Sequence, residues 1–391
     1  MNRDLIILGS TGSIGTSTIN ILKRKKEKFK IKLLTSNTNA KKLLNQAILF
    51  NVKNVIIEDA SKFKKYKNIF KKKKINLHLG IKNINKILKT KVGYCINSIS
   101  GISGLEPTLN IIPFSKNLLI ANKESIICAW NLINKKLQKY NTNFIPIDSE
   151  HFSIMELIKN EKKENIDRII LTASGGPFLN KSNKYIYNVK PRFALKHPNW
   201  KMGKKISIDS ATMMNKVFEF IEAKKIFNLN KKYLSILIHP SSYIHAIVFL
   251  KGNLIKFLAH DTSMSIPISN ALNIKHKLKK NYIKSNINKF NELKLHLPSK
   301  NKFPLLSILD YLPDQETYFE IILITINDEL VNKYLKGKIN FLSIQNNLLN
   351  LIKNPYFKKF YKLKPKNIYD IKKMIITTKS YLESKLKYYE K

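Results

Sequence analysis

The residues best suited to do chemistry lie in the middle of the chain. Asp148-Ser149-Glu150-His151 follows the apolar stretch 144–147. In an extended chain Asp148 and Glu150 project to the same side. They would sit at the carboxyl end of a strand, where open α/β sheets bind ligands. Two carboxylates on one face repel unless a cation or a proton lies between them. The segment also reads as a helix N-terminus, with Asp148 or Ser149 as cap and early acids complementing the dipole. A second cluster, residues 209–222 (DSATMMNKVFEFIE), reads as a helix capped near Asp209 or Ser210. Asn215 and Glu219 are then i,i+4 neighbours and Lys216 and Glu219 i,i+3 neighbours, so all three share a face. Glu219 could complete an oxygen set with Asp148 and Glu150, and hard oxygen ligands suit Mg²⁺ or Mn²⁺. The plainer alternative is a helix-surface ion pair between Lys216 and Glu219.

Two further segments carry polar groups in turn-like settings. Ser174-Gly175-Gly176-Pro177 follows the strand-like run 168–173. Its N–H groups and hydroxyl could hold a phosphate, or it is an ordinary strand-end turn. Residues 197–205 (HPNWKMGKK) read as a loop, and Trp200 there suggests a cover for a ligand. His239 and His245 are six apart and no HExxH occurs, so the histidines read as part of a strand and its turn. Cys95 and Cys128 are far apart, without a CxxC, which offers neither a disulfide framework nor a cysteine zinc site.

The elements that must position these groups begin at the N-terminus. The run 5–8 (LIIL) ends in Gly9-Ser10-Thr11-Gly12-Ser13-Ile14-Gly15, and a helical pattern follows. Strand, glycine turn and helix in that order give a dinucleotide fingerprint its context. Gly12 lets a pyrophosphate approach, Gly15 lets helix and strand pack closely, and the helix N-terminus offers free N–H groups to the anion. After the second strand, 31–34, comes Thr35-Ser36-Asn37-Thr38-Asn39; no acid occurs between Glu27 and Glu58. An NAD enzyme usually places a carboxylate there, so its absence favours NADP. Lys41 and Lys42 could supply countercharge or belong to the surface of the next helix. Further βα units at 54–57, 94–97, 117–121 and 143–147 imply a mostly parallel, doubly wound sheet.

Composition narrows the class. The chain has 391 residues, too long for one ordinary core. Its formal charge of +45 resembles a nucleic-acid footprint, but only four of the 71 basic residues are arginines (Arg3, Arg24, Arg168, Arg192). The lysines are scattered, with a tight run only at 71–74, and reading bases favours planar Arg. The charge therefore reads as a solvated surface that attracts anionic substrates, not as a nucleic-acid site. No apolar run reaches the length of a membrane span. The first strand leaves no room for a cleavable leader. A cytoplasmic protein without membrane contact is the expectation.

Seven ordered blocks carry a family resemblance: GSTGSIG at 9–15, ANKES at 121–125, PIDSEH at 146–151, SGGPF at 174–178, HPNW with MG at 197–203, DSATMMNK at 209–216, and LIHP with IH at 237–245. The chain resembles the 1-deoxy-D-xylulose 5-phosphate reductoisomerase family from residue 5 to about residue 250. The resemblance implies NADPH-dependent isomerisation and reduction of 1-deoxy-D-xylulose 5-phosphate to 2-C-methyl-D-erythritol 4-phosphate, in non-mevalonate isoprenoid synthesis, by a homodimer. It implies a divalent ion (Mg²⁺, Mn²⁺ or Co²⁺) held by Asp148, Glu150 and Glu219. Substrate phosphate contacts fall on Ser174, His197, Ser210, Asn215 and Lys216. Ser149 and Lys123 match residues at the substrate's reacting end, with Lys123, Glu150 and Glu219 carrying catalysis, and Trp200 matches the aromatic of a closing loop. Cofactor contacts fall on Thr11, Gly12, Ser13 and Ile14, on Asn122, Lys123 and Glu124, and on Gly203. The segment Asn37-Thr38-Asn39 departs from the family's Gly, Lys or Arg, Asn pattern and keeps only Asn39.

The fold class expected is α/β: an N-terminal Rossmann-type parallel sheet over 1–147, a central α/β catalytic domain over 148–289, and a linker with a small C-terminal helical domain over 290–391. The basic stretch 275–284 marks the approach to the linker, and 321–335 and 371–386 have helical periodicity. A different NADP-dependent oxidoreductase, acting on a small phosphorylated or carboxylated carbonyl substrate, would share the first domain. A semialdehyde dehydrogenase-like version needs a catalytic cysteine, and Cys128 lies in an apolar run that reads as buried.

Overall fold

The run Leu5–Leu8 is wholly buried, as expected of a strand covered on both faces by helices. In the computed structural model, which describes residues 3–24, 29–275, 282–291 and 293–386, it forms most of β1 (Asp4–Leu8). Most of the expected 275–284 stretch lies outside the described residues. The chain divides into two compact units, one of Met1–Ser125, Asn131–Phe152 and Met264–His276, the other of Ile126–Trp130, Ser153–Ser263 and Lys277–Lys391.

The first unit holds β1, β2 (Lys30–Ser36), β3 (Asn54–Ile57), β4 (Asn76–Leu79), β5 (Val92–Asn97), β6 (Ser115–Ile120) and β7 (Asn143–Pro146). They form one sheet in the order β4-β3-β2-β1-β5-β6-β7, and every neighbouring pair is parallel. The order reverses between β1 and β5, the place where a doubly wound sheet opens a crevice at its carboxyl edge. Strand β4 went unread in the sequence because NLHL is only four residues long, half exposed, and lacks the continuous apolar run of the other strands. Gly15 sets how closely helix and sheet meet. A Cβ there would lie 2.4 Å from the Gly9 carbonyl oxygen and 2.6 Å from Ser10 Cα. The core gathers Leu5, Ile7, Leu34, Val55 and Ile96 with Ile268, inside the later helix Ser265–Ala271, and Leu272, just past its end.

The second unit is built on β8 (Ile166–Ala173), β9 (Leu234–Ile238), β10 (Ile244–Leu250) and β11 (Leu254–Ala259), in the order β11-β10-β8-β9. β8 and β9 are parallel, while β10 is antiparallel to both β8 and β11. The helical periodicity read at 321–335 and 371–386 is realised as helices Tyr318–Leu335 and Ile368–Leu386. Thr317 and Glu320 start the first of these with a reciprocal capping box. Lys225, from the helix Met214–Ile226, lies 3.0 Å from both Glu316 and Glu320 and ties that start to the unit.

Two local expectations change. Asp148 and Glu150 are not on an extended strand, because the helix Ser149–Ile158 begins between them. The block 209–222 is not one helix but the end of Lys204–Ala211 and most of Met214–Ile226. Met213 joins the two in the left-handed region, φ +63°. A non-glycine residue there costs energy and is kept only where packing fixes it; Met213 is buried. Both cysteines are buried. No helix among the described residues is long and apolar enough to cross a membrane.

Candidate active site

In the first unit the parallel pairing of β6 with β7 brings their carboxyl ends side by side. The helices that follow therefore begin next to each other, and Lys123 Nζ lies 2.9 Å from Asp148 Oδ2. Asn122 caps the first helix by accepting from Ser125 N at 2.7 Å. Its amide donates to the carbonyls of Ile99 and of Gly101, the latter at 2.6 Å. Asp148 sits at the start of the second helix, where Glu150 N donates to its Oδ1 at 3.4 Å and Phe152 N to its carbonyl at 2.9 Å. Ser149 Oγ donates to Glu150 Oε2 at 2.5 Å. A carboxylate oxygen of Asp148 and one of Glu150 lie within 4.8 Å of each other.

Burial opposes the charge on Asp148, but the Lys123 ammonium and His151 outweigh it and hold the carboxyl well below the usual range. His151 Nδ1 stands 3.4 Å from Asp148 Oδ1. The two carboxylates together form a hard-oxygen pair of the kind a small divalent ion prefers.

At the switch point the glycine loop folds back, with Gly12 N donating to the Gly9 carbonyl at 3.1 Å. The helix Ser13–Lys23 starts at Gly12, which offers no capping side chain, so its first N–H groups remain for an anion. Gly12 and Ser13 are exposed, and Thr11 and Ile14 half-buried. These features fit a dinucleotide pyrophosphate. Thr11 Oγ1 meets Ser36 Oγ at 2.8 Å, linking the loop to the end of β2. Asn37, Thr38 and Asn39 are exposed just beyond, and Asn39 caps the helix Ala40–Leu49 by accepting from Lys42 N at 3.0 Å.

The second unit assembles a separate polar cluster. Ser174 follows β8, and its Oγ accepts from Gly176 N at 3.1 Å and meets His197 Nε2 at 3.0 Å. His197 Nδ1 accepts from the N–H groups of Asn199 (3.1 Å) and Trp200 (3.0 Å). With Nδ1 an acceptor, a neutral ring carries its proton on Nε2 and donates towards Ser174 or a bound anion. Burial lowers the His197 pKa to about 4, so the ring is neutral near pH 7. Gly176 has φ +68°, and a Cβ there would lie 2.8 Å from the Ser210 carbonyl, so the turn is seated on Ser210. Gly203 caps the helix Lys204–Ala211 that carries Ser210.

One turn beyond Met213, the face read from spacing is present. Asn215 Nδ2 donates to Glu219 Oε1 at 2.5 Å, and Lys216 pairs with Glu219 Oε2. Lys216 and Glu219 are both buried, so this is not a solvent-screened surface pair. Trp200 is half-buried, its ring edge-on to His245 with centroids 6.0 Å apart. Asn199 anchors its loop by donating to Pro240 O (2.6 Å) and Ser242 Oγ (3.0 Å).

Models of the 1-deoxy-D-xylulose 5-phosphate reductoisomerase match residues 5–130, of its C-terminal domain residues 144–227, and of a DXP reductoisomerase C-terminal domain residues 260–380. The reductoisomerase of Pelagibacter ubique is 51% identical over 376 residues, 95% of this chain and 96% of the relative. This chain belongs to the 1-deoxy-D-xylulose 5-phosphate reductoisomerase family. A family member from Wolbachia of Drosophila simulans is 39% identical over 86% of this chain and 87% of its own length. Among solved structures, a DOX-P reductoisomerase in complex with NADPH, fosmidomycin and magnesium covers 98% of both chains at 29% identity, with a TM-score of 0.90. The Zymomonas mobilis reductoisomerase in complex with NADPH covers 96% of both at 28% identity, with a TM-score of 0.83. This reductoisomerase-family match extends well past residue 250, where the motifs thin out.

His151 carries no role in the sequence pattern, and Asp209 reads there as a helix cap, whereas it lies inside the helix Lys204–Ala211. His151 lay inside a quoted motif, yet its place beside Asp148 depends on the helix start. Asp209 is buried, accepts from Asn327 Nδ2 at 2.8 Å and pairs with Lys205 at 3.2 Å. Lys205 also lies 3.0 Å from Asp328. The isolated Asn327-Asp328 pair thus braces the helix that presents Ser210. A spacing of 118 residues leaves no local signal for that bond.

Proposed function

We propose that this protein isomerises 1-deoxy-D-xylulose 5-phosphate and reduces the product with NADPH to 2-C-methyl-D-erythritol 4-phosphate, an early step of non-mevalonate isoprenoid synthesis. The observation that carries the reading is family membership along nearly the whole chain, with the motif blocks at 146–151, 174–178, 197–203 and 209–216 present in order. Residues 1–147 serve as the nucleotide domain, 148–289 as the catalytic domain, and 290–391 as linker and helical domain.

Asp148 and Glu150, with Glu219, are the residues we assign to a divalent ion, Mg²⁺, Mn²⁺ or Co²⁺. Their hard oxygens, and the low pKa of Asp148, suit that role. When bound, the ion supplies Lewis acidity to the substrate's carbonyl and hydroxyl oxygens, and the nicotinamide supplies the hydride. Ser149 and Lys123 hold the reacting end, where an ammonium beside the carboxylates steadies developing negative charge. Ser174, His197, Ser210, Asn215 and Lys216 grip the phosphate through hydroxyl, imidazole N–H, amide and ammonium donors. Gripping a group remote from the reacting carbons orients the substrate, and the Trp200 loop excludes water. Thr11 to Ile14, Asn37 to Asn39, Asn122 to Glu124 and Gly203 contact the cofactor.

A cytoplasmic homodimer is part of this reading. The edge strand β11 exposes Leu254, Ile255 and Phe257 by about half, an apolar edge that a second copy would cover. The test of the activity is loss of NADPH absorbance with purified protein, Mg²⁺ and 1-deoxy-D-xylulose 5-phosphate, with a phosphonate hydroxamate inhibitor as control. Glu219→Gln should abolish turnover and leave NADPH binding nearly intact. Unchanged turnover in that variant would remove the metal assignment.

A further inference from the structure

A dinucleotide that carries a 2′-phosphate places it beside the end of β2 and the glycine loop, where it needs a cation. The exposed segment Asn37-Thr38-Asn39 supplies none. Two lysines follow, and the structure separates them. Lys41 is exposed on the helix Ala40–Leu49, whereas Lys42 is half-buried and turned back onto the glycine loop. Lys42 Nζ donates to the Thr11 carbonyl at 2.9 Å and to Thr16 Oγ1 at 2.7 Å. Both acceptors are neutral, and among the described residues the ammonium meets no carboxylate. Its charge is left uncompensated at the loop that Thr11 and Ser36 join to the end of β2. No carboxylate stands on the segment to repel an anion, since the next acid along the chain is Glu58.

We propose that Lys42 is the residue by which this chain recognises the 2′-phosphate and so selects NADPH over NADH. The inference rests on the NADPH-dependent reading above and adds to it the residue that sets cofactor preference. One ammonium serves two purposes: it holds the glycine loop in the free protein and turns a hydrogen-bond donor to the phosphate in the complex. A charge-assisted hydrogen bond of this kind accounts for a preference of one to two orders of magnitude.

Calorimetric titration of the full-length protein with NADPH, NADH, 2′,5′-ADP and 5′-AMP tests this without turnover. Lys42→Met should weaken NADPH and 2′,5′-ADP about 30-fold and leave NADH and 5′-AMP nearly unchanged. Lys42→Arg should retain most of the preference, and Lys41→Met all of it. Equal weakening of all four ligands by Lys42→Met, with thermal melting intact, would leave Lys42 a loop-holding role only and overturn the proposal. So would an unchanged preference in that variant. If Lys42→Met melts early, loss of the preference in Lys42→Arg overturns the proposal, and its retention supports it. A wild-type protein that binds NADH as tightly as NADPH would instead sink the cofactor reading itself.

Discussion

The glycine loop of the first unit and the polar cluster of the second are built from different materials. The loop works through backbone. Gly12 leaves the first N–H groups of a helix open, and Gly15 lets that helix touch the turn. All of it lies within seven consecutive residues. The second cluster works through side chains from separate stretches: Ser174 after β8 meets His197 on a loop, and the turn at Gly176 rests on Ser210. Backbone sites depend on conformation and tolerate no added atom. Side-chain sites depend on tertiary contacts and fail one interaction at a time.

That contrast can be broken by mutation. The largest effect should come from the smallest change. Gly15→Ala drives a methyl group into the Gly9 carbonyl and should cost about 3 kcal/mol or more, with NADPH binding lost. Urea denaturation and nucleotide titration measure both, and a wild-type midpoint with wild-type binding would refute the close-approach argument.

A smaller effect is expected at His197. Its folded pKa, lowered by burial to about 4, lies below the ordinary 6.5, so between those values the unfolded chain binds more protons. Stability from this group is complete above pH 6.5 and falls as the pH drops towards 4. Allowing for solvent screening of a part-exposed ring, the loss is roughly 2 kcal/mol. Melting curves from pH 7 to 4.5 should show a shallower acid slope in His197→Gln, and parallel slopes would count against the buried neutral imidazole.

The smallest effect sharpens the comparison. Asn327→Ala removes the donor to buried Asp209 and should cost about 1–2 kcal/mol. Because Asp209 braces the helix bearing Ser210, binding of a substrate phosphate should weaken while NADPH affinity stays at the wild-type level. A parallel fall in both affinities would show that the clusters are not separable.

Legibility in the sequence followed the same division. The parallel sheet could be read because β1, β2, β3, β5, β6 and β7 each carry a short apolar run with its turn. Strand β4, half exposed at the sheet edge, lacked that pattern. The shared face of Asn215, Lys216 and Glu219 could be read because helical spacing is local. The break at Met213 could not, since a left-handed methionine contradicts its own propensity and is held by burial. The start of the helix at Ser149 was one of two local options, and local chemistry does not choose between them.

What the sequence determined by itself is therefore the material reached within a few residues: the glycine loop, the strand runs, the Glu219 face and the set of family motifs. Only the tertiary structure decided that Lys123 flanks Asp148, that His197 is tautomerically fixed against Ser174, that Asn327 reaches Asp209, and that Lys42 rather than Lys41 turns to the loop. The physical reason is range. Propensity, capping and periodicity act over one or two turns of chain, whereas burial and ion pairing act between groups that only folding brings together.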